Sequence, residues 1–225
     1  AAVVSPGLIS APALSSEPLQ IGSKRFTESY ILGELLLRVA LRKGPAEHKQ
    51  GLGGTGILLA ALRNGDIDVY PEYSGTIARE ILKLKGNPGI EELNRSLKTM
   101  GLAVSTPLGF ENNYAIGVRE ELAAKLGLRS IGDLKKRPAL RFGFGHEFLA
   151  RSDGWQGLAR SYGITRPASA GLDHGIAYEA LAARRVDVID LYSTDAKIAR
   201  YKLRVLKDER NYFPHYAALL LHRAE

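Results

Sequence analysis

Two tyrosines stand in matching surroundings. Tyr73 lies in Gly65-Asp-Ile-Asp-Val-Tyr-Pro-Glu-Tyr-Ser-Gly-Thr76, and Tyr192 in Val186-Asp-Val-Ile-Asp-Leu-Tyr-Ser193. Ala61-Leu62, Asp68-Val69 and Tyr73-Ser74 align without a gap on Ala180-Leu181, Asp187-Val188 and Tyr192-Ser193. In the first stretch, Ile67 to Tyr70 reads as a short strand stopped by Pro71, which cannot donate to a central ladder. Gly75-Thr76 then opens a new helix. A tyrosine just past the carboxyl end of a strand, beside a helix amino terminus, is placed where open α/β sheets bind ligands. The chemistry this pattern points to is binding, from two units of similar build.

Catalytic chemistry finds less support. The histidines are His48, His146, His174, His215 and His222. Asp173-His174 offers a base and an orienting acid, but no Gly-x-Ser-x-Gly elbow accompanies it. Asp66 and Asp68 alternate along a strand and face opposite sides, so they make a poor carboxylate pair or metal site. With no cysteine, disulfides, thiol nucleophiles and cysteine–metal sites are excluded. Gly51-Leu-Gly-Gly-Thr-Gly56 lacks the Lys-Ser/Thr ending of a P-loop and the Rossmann spacing with a later acid. Its glycines more simply let the backbone approach a ligand or a neighbouring lobe. No catalytic residue, metal or cofactor is therefore expected.

The 225 residues suffice for one large domain or two small ones. The net charge of +7 is scattered among acids. The densest basic run, Lys135-Lys136-Arg137, reads as a solvated helix end. Without zinc-ligand spacing, an RNA-binding sheet motif or a basic helix, nucleic acid is not an expected partner. No run of 18 apolar residues occurs. Residues 1–18, small and broken by Pro6, Pro12 and Pro18, read as a linker or the segment after a removed signal.

The elements alternate. Leu19 to Gly22 is a strand, and Thr27 caps a helix to about Lys43 with the apolar stripe Ile31, Leu32, Leu35, Leu36 and Val39. A strand near Glu47–Gln50 precedes the glycine run, and Thr55 caps a helix over Ile57–Arg63. Helices over Gly75–Leu84 and Ile90–Met100 lead to strands at Ala103–Thr106 and Tyr114–Val118. Ser130 with Asp133 forms a capping box. Strands follow at Leu140–Phe144, Val186–Leu191 and Ala217–Leu221, with helices over Gly154–Tyr162 and Gly175–Arg184. This alternation argues for an α/β fold of mostly parallel sheets covered by helices.

Five segments carry a resemblance: Ile21-Gly-Ser-Lys-Arg-Phe-Thr-Glu28, Gly65 to Thr76, Phe148 to Gly154, Tyr192-Ser-Thr-Asp195 and Phe213-Pro-His-Tyr216. In this order they resemble the glycine betaine/choline-type substrate-binding proteins of osmoprotectant ABC transporters. The resemblance covers about residues 19–222. It implies a two-lobed, type II periplasmic-binding-protein-like fold with the ligand between lobes joined by two hinge crossings. Residues 19–109 would form lobe 1, residues 110–210 lobe 2, and residues 211–225 the return to lobe 1. Similar proteins continue with helices that complete the first lobe, so a shortened or permease-fused form is expected.

The resemblance also implies the site. Tyr73, Tyr114, Tyr192 and Tyr216 would form an aromatic cage for a trimethylammonium group. Lys24 and Arg151 would meet a ligand carboxylate, with Thr76 as hydroxyl donor. Asn112 stands where relatives often place an Asp, which would weaken the pull on a cation. Thr55 is a weaker candidate, since a capping role explains it. The implied function is capture of a quaternary-ammonium osmoprotectant, glycine betaine-like, for an ABC importer. Choline, carnitine or ergothioneine are alternatives, as is a ligand-sensing domain of a regulator or membrane protein. The implied partner is an ABC permease subunit, and the implied location is extracytoplasmic. The isolated domain is expected to be a monomer.

Overall fold

The computed structural model describes residues 17–165 and 170–224; residues 1–16 of the expected linker lie outside them. The elements run β1 Leu19–Lys24, α1 Thr27–Ala40, β2 Ala46–Gly53, α2 Thr55–Asn64, β3 Val69–Tyr73, α3 Ser74–Thr76, α4 Ile90–Leu97 and β4 Leu102–Val104. They continue with β5 Tyr114–Arg119, α5 Glu120–Leu126, β6 Gly143–Gly145, α6 His146–Ala150 and α7 Trp155–Tyr162. The last are β7 Ala170–Leu172, α8 His174–Ala182, β8 Val188–Tyr192, α9 Lys197–Arg200, β9 Leu203–Leu206 and β10 Ala218–Arg223.

These strands form two principal sheets, one ordered β2-β1-β3-β10-β4 and the other β8-β5-β9, with β6 and β7 paired beside the second. The α/β expectation holds, with one refinement. β1 is parallel to β2 and β3, and β6 to β7. However, β10 runs against both its neighbours, and so does β5. The connections leading into these two strands lie side by side. Glu111 bridges Ala217, and the Asn112 amide donates to the Tyr216 carbonyl at 3.0 Å.

Pro71 does not end its strand. It sits within β3 opposite Leu220 of β10. β3 meets β1 in register only at Ile21–Val69. A residue with no N–H is tolerated just past that point because the ladder on that side has ended.

The apolar stripe expected on α1 is also corrected. Ile31, Leu35 and Val39 are 54, 54 and 59% exposed, whereas the buried residues of the helix are Ser29 and Gly33. The helix lies on the sheet through its smallest residues: the His48 ring fills the space where a Cβ on Gly33 would stand. The apolar core under this sheet comes instead from α2, β3 and the turn before it, α4 and β10, through Leu58, Leu62, Ile67, Tyr70, Leu93, Leu97, Leu219 and Leu221.

Neither expected threonine cap forms. Phe26 and Gly54 occupy the cap positions of α1 and α2, and Thr27 and Thr55 are their first helical residues. The Ser130–Asp133 capping box is present, with the Ser130 amide donating to Asp133 Oδ2 at 2.9 Å. Lys135, Lys136 and Arg137 are exposed as expected.

Candidate functional site

The four tyrosines expected to form a cage reach one place from three strands and one connection. Tyr73 ends β3 and Tyr192 ends β8, so both side chains leave the carboxyl ends of strands. Tyr114 opens β5 directly opposite Tyr192 in the ladder. Tyr216 precedes β10 on the return connection. Tyr114 is the hub, with its ring centroid 5.1 Å from Tyr192 and 5.6 Å from Tyr216, both edge-on. Tyr73 joins through Phe26, at 6.3 Å, and Phe26 meets Tyr192 at 5.0 Å. Phe148 and Phe213 close the far side of Tyr114 at 5.2 and 6.2 Å. Burial pushes all four tyrosine pKa values up, so each ring is a neutral phenol.

Six of the seven expected site residues, Lys24, Tyr73, Thr76, Tyr114, Tyr192 and Tyr216, line one small cavity of about 20 Å³. Arg151 lines the adjoining cleft of about 530 Å³, which shares Lys24, Phe26, Glu147 and Tyr192 with the cavity. The structure thus brings the predicted set together.

It also gives both cations partners that the sequence reading missed. Lys24 Nζ donates to Glu72 Oε1 and to Thr55 Oγ1, each at 2.7 Å. Arg151 forks onto Asp153, Nε to Oδ1 at 2.8 Å and Nη2 to Oδ2 at 2.6 Å. Its Nη1 donates to Thr76 Oγ1 at 3.2 Å, and its guanidinium carbon lies 5.3 Å from the Tyr114 centroid. Tyr216 donates to Asp153 Oδ2 at 2.9 Å. Thr55, set aside above as a cap, belongs to this network: its hydroxyl donates to Glu147 Oε1 at 2.5 Å.

The carboxylates differ. Burial pushes Glu72 up against the pull of Lys24. Burial acts the same way on Glu147, but Lys24, Thr55 and Arg151 outweigh it and hold that carboxyl below its usual range.

Asn112 does not leave the cage without a nearby negative charge. Its side-chain amide donates to Glu28 Oε1 at 2.8 Å, and the Tyr73 hydroxyl donates to the same oxygen at 2.5 Å. Glu28 therefore stands behind Tyr73. Two of the overlooked residues lie close in sequence to recognised ones, Glu72 before Tyr73 and Asp153 two after Arg151, whereas Glu28 and Glu147 reach the site through the fold. For Glu72 and Asp153 the available signal was an acid close in sequence to a predicted ligand group.

The Asp173–His174 pairing does not form. His174 pairs with Asp195 at 2.8 Å, not with Asp173, and stacks on Tyr192 at 4.1 Å. Among the described residues no acidic or histidine group is arranged to hold a metal, and no helix is long and apolar enough to cross a membrane.

Comparison with known proteins identifies the family and the fold. Residues 17–225 match the family model described as the substrate binding domain of ABC-type glycine betaine transport system. The glycine-betaine-binding protein of Pseudomonas aeruginosa is 33% identical over 97% of this chain and 76% of its own length. The ergothioneine transport permease/ergothioneine binding protein EgtU of Helicobacter pylori is 32% identical over 97% of this chain. This chain spans 40% of that relative's length. A crystal structure of a glycine betaine/carnitine/choline ABC transporter superposes with a TM-score of 0.66 at 30% identity, covering 91% of this chain and 79% of that one. The fold is accordingly of the two-lobed, type II periplasmic-binding kind. The chain belongs to the family of substrate-binding domains of ABC-type glycine betaine transport systems.

Proposed function

We propose that this chain captures a small quaternary-ammonium osmoprotectant, glycine betaine-like, in the tyrosine cage and delivers it to an ABC permease. The observation that carries the reading is the convergence of Tyr73, Tyr114, Tyr192 and Tyr216 on one cavity. A trimethylammonium group has no N–H and cannot hydrogen-bond. It is held by the negative faces of rings, each worth about 0.5–2 kcal/mol when desolvated. Four rings then supply most of a micromolar affinity, about −8 kcal/mol, before ordering costs. Lys24, Arg151 and Thr76 would flank the ligand's anionic end. Catalysis has no part in this function.

In this proposal residues 19–109 and the return from 211 form one lobe and residues 110–210 the other, with the paired connections at Glu111–Asn113 and Tyr216–Ala217 as hinge. Tyr73 and Tyr216 then belong to the first lobe, and Tyr114 and Tyr192 to the second. The rings pack against one another around a cavity of about 20 Å³, room for roughly one water. That is too small for a trimethylammonium group, so the ligand enters an open state that the free protein populates, and it favours closure by touching both lobes. The proposed location is extracytoplasmic. The proposed partner is a permease subunit, separate or in the same polypeptide, and the isolated domain is a monomer.

A thermal-shift screen with glycine betaine, choline, carnitine and free amino acids tests this. Stabilisation should follow RT ln(1 + [L]/Kd) for quaternary ammonium compounds. Amino acids lacking the quaternary group should have no effect. Stabilisation by none of the quaternary compounds would refute the reading.

A further inference from the structure

The anionic end of the site already contains a carboxylate. Glu147, on α6, lines both the small cavity and the cleft. Its Oε1 accepts from Thr55 Oγ1 at 2.5 Å and lies 3.5 Å from Arg151 Nη1. Thr55 is the first residue of α2, so this carboxylate rests at a helix amino end, where unpaired N–H groups favour an anion. The fit is close on the other oxygen too: a Cβ on Gly54 would stand 2.9 Å from Glu147 Oε2. Lys24 and Arg151, the cations expected to take a ligand's carboxylate, are meanwhile paired with Glu72 and Asp153. Against these two cations stand three carboxylates, and Glu147 has the longest of the three ion pairs, sharing Arg151 with Asp153 at 3.5 Å.

We propose that Glu147 ranks the ligands of this site, disfavouring quaternary ammonium compounds that carry a carboxylate relative to those that end in a hydroxyl. This rests on the cage reading above. A ligand carboxylate entering between Lys24 and Arg151 meets Glu147 as a like charge in a partly desolvated setting, and one of the two must move. A terminal hydroxyl instead donates to Glu147 and leaves it in place. The low pKa of Glu147 keeps that like charge in force at neutral pH.

Calorimetric titration of wild type, Glu147→Gln and Gly54→Ala with glycine betaine and with choline tests this. Glutamine keeps the shape and removes the charge. The added methyl of Gly54→Ala leaves the charge but displaces the carboxylate from α2, so the test survives if one variant folds poorly. In Glu147→Gln the affinity for glycine betaine relative to choline should rise at least tenfold, and Gly54→Ala should move the ratio in the same direction. A ratio unchanged within twofold in both variants, or one moving toward choline, overturns the proposal while leaving the cage intact. Absence of binding by either ligand to wild type overturns the cage reading, and this inference with it.

Discussion

Tyr73 separates two things a cage tyrosine can do. Its ring faces the cavity and is 5% exposed, while its hydroxyl donates to Glu28 at 2.5 Å. Tyr73→Phe keeps the ring and removes that donor. Glu28 is half-buried and retains Asn112, so the loss falls below the ~1.5–3 kcal/mol of a hydrogen bond to a charged group. A cost of about 0.5–1.5 kcal/mol is expected in urea denaturation without ligand. Ligand affinity should change less than about threefold, because the ring face makes the contact. Tyr73→Ala removes both, costing about 3–5 kcal/mol of stability as for other buried aromatics. It should also weaken a quaternary ammonium ligand by about 1–3 kcal/mol, roughly five- to a hundredfold. If Tyr73→Phe loses as much affinity as Tyr73→Ala, the hydroxyl and not the ring recognises the ligand, and the cage argument fails.

Other perturbations follow from the same contacts. Arg151→Ala strands Asp153, 7% exposed, as a buried charge and should cost about 3–5 kcal/mol in denaturant melts; adding Asp153→Asn should recover part of it. Asp187 lies between Arg119 and Arg141, at 3.0 Å from each, and these partners outweigh burial to hold its pKa below 3.8. A carboxylate depressed on folding stabilises above its unfolded value and loses that contribution as pH falls through its folded one. The melting temperature should therefore drop below about pH 4, and Asp187→Asn should flatten the drop. Leu35→Gln on the exposed flank of α1 should alter stability by no more than about 0.5 kcal/mol, and a larger loss would mean the flank is covered. Small-angle scattering at saturating ligand should show a smaller radius of gyration; an unchanged radius would refute hinge closure.

Much of the fold was legible because strand and helix alternate and each turn carries its own chemistry. The capping box at Ser130 and Asp133 is a local device and reads correctly from spacing alone. The errors arise where a neighbour decides. Ile31, Leu35 and Val39 have helical periodicity, yet α1 meets the sheet through Ser29 and Gly33 because His48 requires a residue without a side chain at that contact. Periodicity reports that a helix has a face; packing decides which face is buried. Pro71 reads as a stop because it lacks a donor, but only the sheet order reveals that the ladder on that side ends before it.

The site follows the same division. The tyrosines and cations could be named from the resemblance their motifs carry: Lys24, Tyr73 and Tyr192 end strands, Tyr114 opens one, Arg151 follows α6 and Tyr216 precedes β10, and the topology brings them to one edge. Their partners could not, because an acid beside a cation in sequence has no single spatial meaning. Asp153 stands two residues after Arg151 and grips it with both oxygens, whereas Glu147 stands four before it and reaches across to Thr55 of α2. Asn112 read alone suggests a weakened cation site, but its amide turns toward Glu28, which is distant in sequence. The charge of this site is a sum over pairs formed between elements. In the proposed function, its preference for a cation or a zwitterion would therefore depend on Glu28, Glu72, Glu147 and Asp153 as much as on the residues whose types announce binding.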